Sequence, residues 1–198
     1  MDKKIIACTG GIGSGKSAVV AAFAALGIPT YDCDSRTKAL YRKDKALAGK
    51  IAKLLGREVL AEDGTLDTRA MAAKVFGDRN LLLKLEAIVH PAVAKDFKRW
   101  AQRCDSDIVM LESAILLEKP FFDNFADCVI AVSAPESVRI ERVMRRDNLS
   151  CAQVQQRLAA QWTDAQREAK ANLVLTTDDA HAMLPQILEL IEQLKQNK

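Results

Sequence analysis

The sequence predicts an α/β fold in which a parallel sheet is covered by helices on both faces. Short apolar segments alternate with segments of helical periodicity, and a glycine-rich loop joins the first such pair. The stretch from about 37 to 103 interrupts this alternation, because it is polar and helix-rich and has no convincing core strand. We therefore expect a helical insertion at the carboxyl edge of the sheet, where such folds bind ligands.

The strand predictions rest on apolar runs that are too short for helices and are bounded by turn residues. They are Lys4–Thr9, Thr30–Asp32, Asp107–Glu112, Asp127–Val132 and Leu173–Thr176. A helix is predicted from Ser17 to Leu26, ended by Gly27. Its apolar side consists of Val19, Val20, Phe23 and Leu26. An amphipathic helix closes the chain, with apolar residues recurring at Leu184, Ile187, Leu188, Ile191 and Leu194.

Composition excludes several classes of protein. With 198 residues and 49% apolar content, the chain can build a buried core and is not intrinsically disordered. No apolar run approaches the roughly 20 residues that span a bilayer, and no secretory signal is recognisable. The net charge is +3 and basic residues are interleaved with acids, which argues against nucleic-acid binding. Five scattered cysteines without a CxxC pair predict reduced thiols in a cytoplasmic protein.

A phosphate-binding loop is the strongest single motif. Gly10–Ser17 fits G-x-x-x-x-G-K-[ST] and lies between a predicted strand and a predicted helix. Glycines let successive backbone N–H groups converge on phosphate oxygens, and a helix N-terminus adds positive potential. The predicted nucleotide contacts are Gly11, Ile12, Gly13, Ser14, Gly15, Lys16, Ser17 and Ala18. The fold is thus of the P-loop NTPase type, with Lys16 expected on the β- and γ-phosphates of a nucleotide and Ser17 on Mg²⁺. The loop serves GTPases, ATPases and small-molecule kinases alike, so ATP as the cofactor is what the family resemblance given below implies.

Acidic residues follow two of the predicted strands. Asp32 ends the second strand and is the better candidate to accept a proton from an alcohol acceptor, while Asp34 could assist with substrate or metal. Both could instead be turn or helix-cap acids. Glu112 ends the third strand, where an acid holds Mg²⁺ in phosphate-loop enzymes, or else pairs with a basic residue at the sheet end. Glu118 lies six residues further on.

A run of arginines follows the fourth strand. Arg139 and Arg142 share a helical face, which Arg145 or Arg146 extends. Such a run can simply be a solvated helix face. Its position favours a closing lid, whose guanidinium groups neutralise charge on a transferring phosphoryl group and exclude water.

Together these segments resemble the dephospho-CoA kinase family along nearly the whole chain. The matching stretches, in order, are Thr9–Ser17, Asp32–Asp34, Asp63–Asp67, His90–Pro91 and Glu112–Glu118. There are departures as well: Glu112 stands where the family has aspartate, Ala18 where it usually has threonine and Ala114 where it has proline.

The resemblance implies a division of labour along the chain. It implies a nucleotide-binding core of about 1–36, 104–138 and 156–198, a helical substrate-binding insertion of about 37–103 and an arginine-rich lid of about 139–155. The implied catalytic residues are Asp32, Lys16, Arg139, Arg142 and Arg146. Asp34, His90 and Glu118 would bind the acceptor, although His90 could also be a packing or helix-end histidine. Ser17 and Glu112 would hold the metal.

The function implied by the resemblance is phosphorylation of the ribose 3′-hydroxyl of 3′-dephospho-coenzyme A by ATP, which gives coenzyme A and ADP. A related kinase acting on a nucleoside, a nucleoside monophosphate or a shikimate-like alcohol is the alternative. A nucleotide-dependent switch is a third possibility, but the Asn-Lys-x-Asp stretch by which GTPases read guanine does not occur. We expect a monomer that binds neither nucleic acid nor membranes.

Overall fold

A computed structural model describes residues 3–118, 125–178 and 180–196. Its strands are β1 Lys4–Thr9, β2 Thr30–Asp32, β3 Ile108–Glu112, β4 Cys128–Ser133 and β5 Leu173–Thr176. Its helices are α1 Lys16–Ala25, α2 Cys33–Lys43, α3 Lys45–Leu55, α4 Thr68–Val75, α5 Arg79–Arg103, α6 Glu136–Asp147, α7 Cys151–Ala159, α8 Asp164–Glu168 and α9 Met183–Gln196. Short 3₁₀ helices lie at Arg57–Val59 and Leu116–Glu118.

The five strands form one sheet in the order β2-β3-β1-β4-β5. Strand β1 runs parallel to both β3 and β4, with Ile5 opposite Val109, and β4 runs parallel to β5, with Ala131 opposite Val174. Strands covered on both faces need apolar side chains in both directions, which explains their unbroken apolar sequences. The predicted fold class, a parallel sheet flanked by helices, is confirmed.

The chain divides into two compact units, Met1–Tyr31 with Asp105–Lys198, and Asp32–Cys104. The first contains the sheet, and its core joins strand residues such as Ile6 and Ile130 to Phe23 of α1 and Ile187 of α9. The break between the units follows Tyr31, whereas the sequence places its core–insertion boundary at 36/37, inside α2. The division into core, insertion and lid remains a prediction.

The apolar faces of two helices differ from the sequence prediction. In α9 the buried positions are Ile187, Leu190 and Leu194, while Leu184 and Leu188 are about half exposed. At about 100° per residue, positions 187, 190 and 194 form one narrow stripe, so 184 lies beside that stripe and 188 points further away from it. Leu26 is also exposed, because it follows the last residue of α1 as its C-cap.

The second unit is a group of four helices, and Asp32, the last residue of β2, is its one residue in a named strand. Two of its residues, Leu60 and Leu66, form a single antiparallel bridge. An aspartate side chain accepts backbone N–H groups at the start of each helix, as N-caps prefer. These caps, for α2 to α5, are Asp32, Asp44, Asp67 and Asp78. Helix α5 continues through Pro91, which cannot donate a backbone hydrogen bond within the helix.

Within the described ranges, no helix combines the length and the apolar character needed to cross a membrane.

Candidate active site

The phosphate loop follows β1 directly and leads into α1. Gly13 has φ 79° and Gly15 has φ 83°, both in the left-handed region that favours glycine. Gly15 is the N-cap of α1, and its carbonyl accepts N–H groups from Ala18 and Val19. The Gly10–Ser17 motif therefore forms the strand–loop–helix connection that the sequence predicts.

Two observations indicate that the loop is shaped to receive an anion. Gly11 and Ser14 are buried while Ser17, in the first turn of α1, is exposed. The Ser14 hydroxyl is buried and has no hydrogen-bond partner in the part of the chain that the structure describes. A buried hydroxyl without a partner is costly, so a phosphate oxygen that accepts from it would satisfy it. The residues present thus fit the phosphates of a nucleotide.

Gly13→Ala is expected to destabilise the loop by about 2 kcal/mol or more, from left-handed backbone strain and from a clash. The added Cβ would lie 2.6 Å from the Arg139 carbonyl oxygen, a backbone atom that cannot move alone. Gly27 has φ 86° but open space around it, so Gly27→Ala isolates the backbone strain. Gly49 is exposed in the middle of α3 and also has open space around it. Gly49→Ala should therefore raise the free energy of unfolding by about 0.5–1 kcal/mol.

Chemical denaturation of the three alanine variants measures these differences. We expect Gly49→Ala to be the most stable of the four proteins, followed by the wild type, Gly27→Ala and Gly13→Ala. A Gly13→Ala protein as stable as Gly27→Ala would show that the approach of the Arg139 carbonyl does not constrain the loop.

Lys16 and Glu112 form an ion pair at the end of the sheet, with side chains 15% and 12% exposed. The sheet positions them, because Glu112 is the last residue of β3 and lies opposite Cys8 of β1. The sequence predicts two alternative roles for Glu112, as a metal ligand or as the partner of a basic residue. In this structure it is the partner of the predicted phosphate-binding lysine.

Burial raises the pKa of the Cys8 thiol to about 12, against a lowering influence from Lys16. At pH 8 only about one Cys8 side chain in 10⁴ is then a thiolate, the form that reacts with alkylating agents. We expect iodoacetamide to modify the exposed Cys151 of the folded protein while Cys8 stays unmodified. Mass spectrometry of peptides checks this, with the urea-unfolded protein as the control in which all five cysteines react. Equal rates at Cys8 and Cys151 in the folded protein would contradict it.

A second group of side chains contacts the loop from segments later in the chain: α6, the turn after α7 and the residue after β5. The Ile12 N–H donates to Gln161 Oε1 at 2.9 Å, and the Ile12 carbonyl accepts from Arg139 Nε at 2.9 Å. Thr177 Oγ1 donates to the Ser14 carbonyl at 2.5 Å and accepts from Arg142 Nη1 at 3.0 Å. The structure therefore brings two of the predicted arginines to the loop.

Arg167 is the residue of this group that sequence reasoning missed. Its side chain is 2% exposed, and it donates to Glu118 at 3.0 Å, to Asp164 at 3.3 Å and to the Trp162 carbonyl at 2.5 Å. Glu118, predicted to bind substrate, is thus the partner of a buried arginine. No motif marks Arg167, because charged residues in a short polar helix are usually exposed. Asp164 was missed as well, and the contact of Thr177 with the loop was not predicted, since a threonine after a strand carries no distinctive signal.

The remaining predicted arginine, Arg146, lies on the surface. Its side chain is 63% exposed and pairs with Asp147 at 2.7 Å, which lowers the pKa of that carboxyl. Arg157 also reaches Asp147, at 3.0 Å. The predicted lid of about 139–155 covers most of α6, the turn after it and the first half of α7.

Three predicted residues belong to the second unit. Asp32 is the last residue of β2 and caps α2: its carboxylate accepts from the backbone of Asp34 at 2.9 Å and from the Ser35 hydroxyl at 2.5 Å. The helix-cap alternative is thus observed, which leaves a further role for Asp32 open. Asp34 lies in the first turn of α2. His90 is half-buried within α5, so it is not a helix-end residue.

The donor set for Mg²⁺ consists of oxygen atoms, as that ion requires. Ser17 offers an exposed hydroxyl and Glu112 a carboxylate, and phosphates and water complete the shell in enzymes of this kind. The described residues include no group of three or more His, Cys, Asp or Glu side chains arranged to hold a metal.

A parallel sheet, a phosphate loop after its first strand and a lysine that opens the next helix define the class of P-loop nucleotide-binding proteins. The dephospho-CoA kinase family model matches residues 4–182. A dephospho-CoA kinase of Porphyromonas gingivalis is 41% identical over 192 residues, which cover 96% of this chain and 94% of that protein. One from Bacteroides fragilis is 38% identical over 192 residues, with 96% and 93% covered.

The solved dephospho-CoA kinase of Campylobacter jejuni shares the fold, with a TM-score of 0.70 at 21% identity over 99% of this chain and all of that one. The chain belongs to the dephospho-CoA kinase family. The family and the kinase activity that the sequence predicts are thus confirmed, and the chain is an ATP-using enzyme that acts on a small-molecule substrate.

Proposed function

We propose that this chain transfers the γ-phosphoryl group of ATP to the ribose 3′-hydroxyl of dephospho-coenzyme A, the last step of coenzyme A synthesis, with the residues described above. The ribose oxygen forms a bond to the γ-phosphorus, the bond from that phosphorus to the β–γ bridging oxygen breaks, and the hydroxyl proton passes to a carboxylate. The observation that carries the proposal is the loop from Gly10 to Ser17, with its unsatisfied buried hydroxyl and its paired lysine.

Lys16 is proposed to exchange partners when ATP binds. Its ammonium group lies on Glu112 in this structure. Phosphate oxygens carry more charge than one carboxylate, so the triphosphate competes for the lysine and the exchange releases Glu112. Lys16 then stabilises negative charge on the β- and γ-phosphates as the phosphoryl group leaves.

Ser17 and the released Glu112 are proposed to hold Mg²⁺ together with the nucleotide. The ion supplies neutralisation of charge on the β- and γ-oxygens and keeps them oriented. The exposed Ser17 hydroxyl is available as a ligand at the start of α1. Glutamate in place of the family's aspartate has one more methylene, which suits a contact through a bound water.

Asp32 is proposed as the carboxylate that orients and deprotonates the ribose hydroxyl. Its place at the end of β2, a strand of the same sheet as β1, supports this role. Hydrogen bonds from Asp34 N and Ser35 Oγ hold the carboxylate in one orientation. Alignment of this kind supplies most of the rate in phosphoryl transfer, since the protein forms no bond to phosphorus.

The acceptor and the lid complete the proposed organisation. The helical segment of about 37–103 would receive dephospho-coenzyme A through Asp34 and His90, with Glu118 contributing from the core. The lid of about 139–155 would close over the nucleotide. Two lid arginines are proposed to reach the transferring phosphoryl group: Arg146, which is exposed, and Arg142, which donates to Thr177. Their guanidinium groups would neutralise the negative charge on that group.

We also propose that the enzyme acts in the cytoplasm as a monomer. All five cysteines are free thiols, which suits a reducing compartment. Size-exclusion chromatography with light scattering tests the oligomeric state.

ADP release measured with and without dephospho-coenzyme A tests the proposed reaction, and mass spectrometry identifies the product. We expect release to depend on the acceptor and on added Mg²⁺, and to cease with EDTA. A panel containing a nucleoside, a nucleoside monophosphate and shikimate is the control, and preference for one of these would replace the proposed acceptor. Slow ATP hydrolysis without transfer to any acceptor would instead favour a nucleotide-dependent switch.

A further inference from the structure

The Ile12 peptide in the phosphate loop is held on both sides by residues distant in sequence. Gln161 Oε1 accepts its N–H at 2.9 Å, and Arg139 Nε donates to its carbonyl at 2.9 Å. The N–H and the carbonyl of Ile12 belong to the two peptide planes on either side of its Cα, so neither plane can rotate without breaking a hydrogen bond. The orientation of both planes is therefore set before a nucleotide arrives.

Arg139 is placed to support the loop rather than to reach out from it. Its side chain is 7% exposed, and Nη1 donates to Asp164 Oδ2 at 2.5 Å. Its third nitrogen, Nη2, lies against Gly11, where any side chain on that residue would collide with it. With Nε and Nη1 engaged and Nη2 packed against the loop backbone, the guanidinium is committed mainly to contacts that support the loop.

Asp164 links Arg139 to a second buried arginine. Its Oδ1 accepts from Arg167 Nη1 at 3.3 Å while its Oδ2 accepts from Arg139. Arg167 also binds Glu118 at 3.0 Å, so two arginines and two carboxylates alternate in one chain of ion pairs. Opposite charges balance within this chain, which allows it to be buried. At its Arg139 end, this chain of ion pairs contacts the phosphate loop through the Ile12 carbonyl.

We propose that Arg139, Asp164, Arg167 and Gln161 are positioning residues, which preset the phosphate loop for the triphosphate by holding the Ile12 peptide. This revises the predicted role of Arg139, which would act through the loop and not on the transferring phosphoryl group. The inference rests on the proposed function only in requiring that the loop binds a nucleotide. Purely structural ion pairs would affect stability but not nucleotide affinity in the folded protein.

Asp164→Asn and Gln161→Leu test the two sides of the Ile12 peptide. The first keeps the shape of the side chain but removes the charge between two arginines. The second removes the acceptor of the Ile12 N–H without changing any charge, so it should fold even where the first does not. Glu168→Gln is the matched control, because it neutralises an acid on the same helix α8 outside this group.

Calorimetric titration with Mg²⁺ and ADP measures nucleotide affinity without any acceptor, so a wrong acceptor assignment does not affect it. We expect ADP affinity and the KM for ATP to worsen at least about tenfold in both variants, since a small displacement of a binding group carries such costs. The KM for dephospho-coenzyme A should change by less than about twofold, and Glu168→Gln should behave as wild type.

A double-mutant cycle between Arg139→Lys and Asp164→Asn completes the test. If Arg139 and Asp164 hold the loop through their ion pair, the effects of the two substitutions on ADP affinity will be strongly non-additive. Normal ADP affinity in folded Asp164→Asn and Gln161→Leu would overturn the proposal. So would a defect confined to the kcat of Arg139→Lys, since that result would place Arg139 on the phosphoryl group itself.

Discussion

Lys16→Met is expected to lower turnover by roughly 10³-fold, the cost of removing a principal electrostatic contact to the transition state. Methionine has a similar length but no charge, so the negative charge that develops between the β- and γ-phosphates would lose its nearest protein cation. The loss should fall mainly on kcat, because that charge is largest in the transition state. Steady-state kinetics with saturating ATP and acceptor measures it.

The same change leaves Glu112 without its partner. That carboxylate is only 12% exposed, so an unpaired charge there should reduce the free energy of unfolding by about 3 kcal/mol. The double variant Lys16→Met with Glu112→Gln is expected to recover most of this stability and none of the activity. This pair of variants separates chemistry from folding. Turnover within tenfold of wild type in folded Lys16→Met would remove Lys16 from the mechanism.

Asp32→Asn is the second variant with a large expected effect, a fall in turnover of about 10²-fold or more with little change in ATP affinity. An amide cannot accept the hydroxyl proton, but asparagine caps helices as well as aspartate does. Helix α2 should therefore keep its N-terminal hydrogen bonds to Asp34 and Ser35. Asp32→Asn therefore tests proton transfer without disturbing the helix. Asp32→Ala would not separate the two effects, because alanine also removes the helix cap.

Asp78→Asn is the matched control, because Asp78 caps α5 in the same way and is not proposed to contact substrate. Nucleotide titration and kinetics on both variants give the comparison. A near-normal turnover for Asp32→Asn would assign Asp32 to helix capping alone.

The phosphate loop and the strands were predictable because their signals are local. A glycine at φ 79° and another at φ 83° appear in the sequence as Gly13 and Gly15 of one motif. Strands covered on both faces require continuous apolar runs, so their bounds were predicted to within one residue. The helix caps are local too: the side chain of Asp32 reaches only its own first turn.

The partners of charged side chains could not be predicted in this way. Arg139, Arg142 and Arg146 belong to one arginine-rich run, yet one is buried beneath the loop, one touches Thr177 and one lies in solvent. Helical spacing assigns residues to a face of α6 but does not say what that face meets. The partners Asp164 and Thr177 are 25 and 35 residues away along the chain.

What the sequence by itself determined is a phosphate loop between a buried strand and a helix, and with it a kinase of one family. What only the tertiary structure decided is how that loop is held: Lys16 on Glu112, Ile12 between Gln161 and Arg139, and Arg139 on Asp164, which also binds Arg167. Backbone conformation follows from neighbouring residues through steric limits on φ and ψ. Burial and pairing of charges depend on which distant segments meet, and folding alone brings those together.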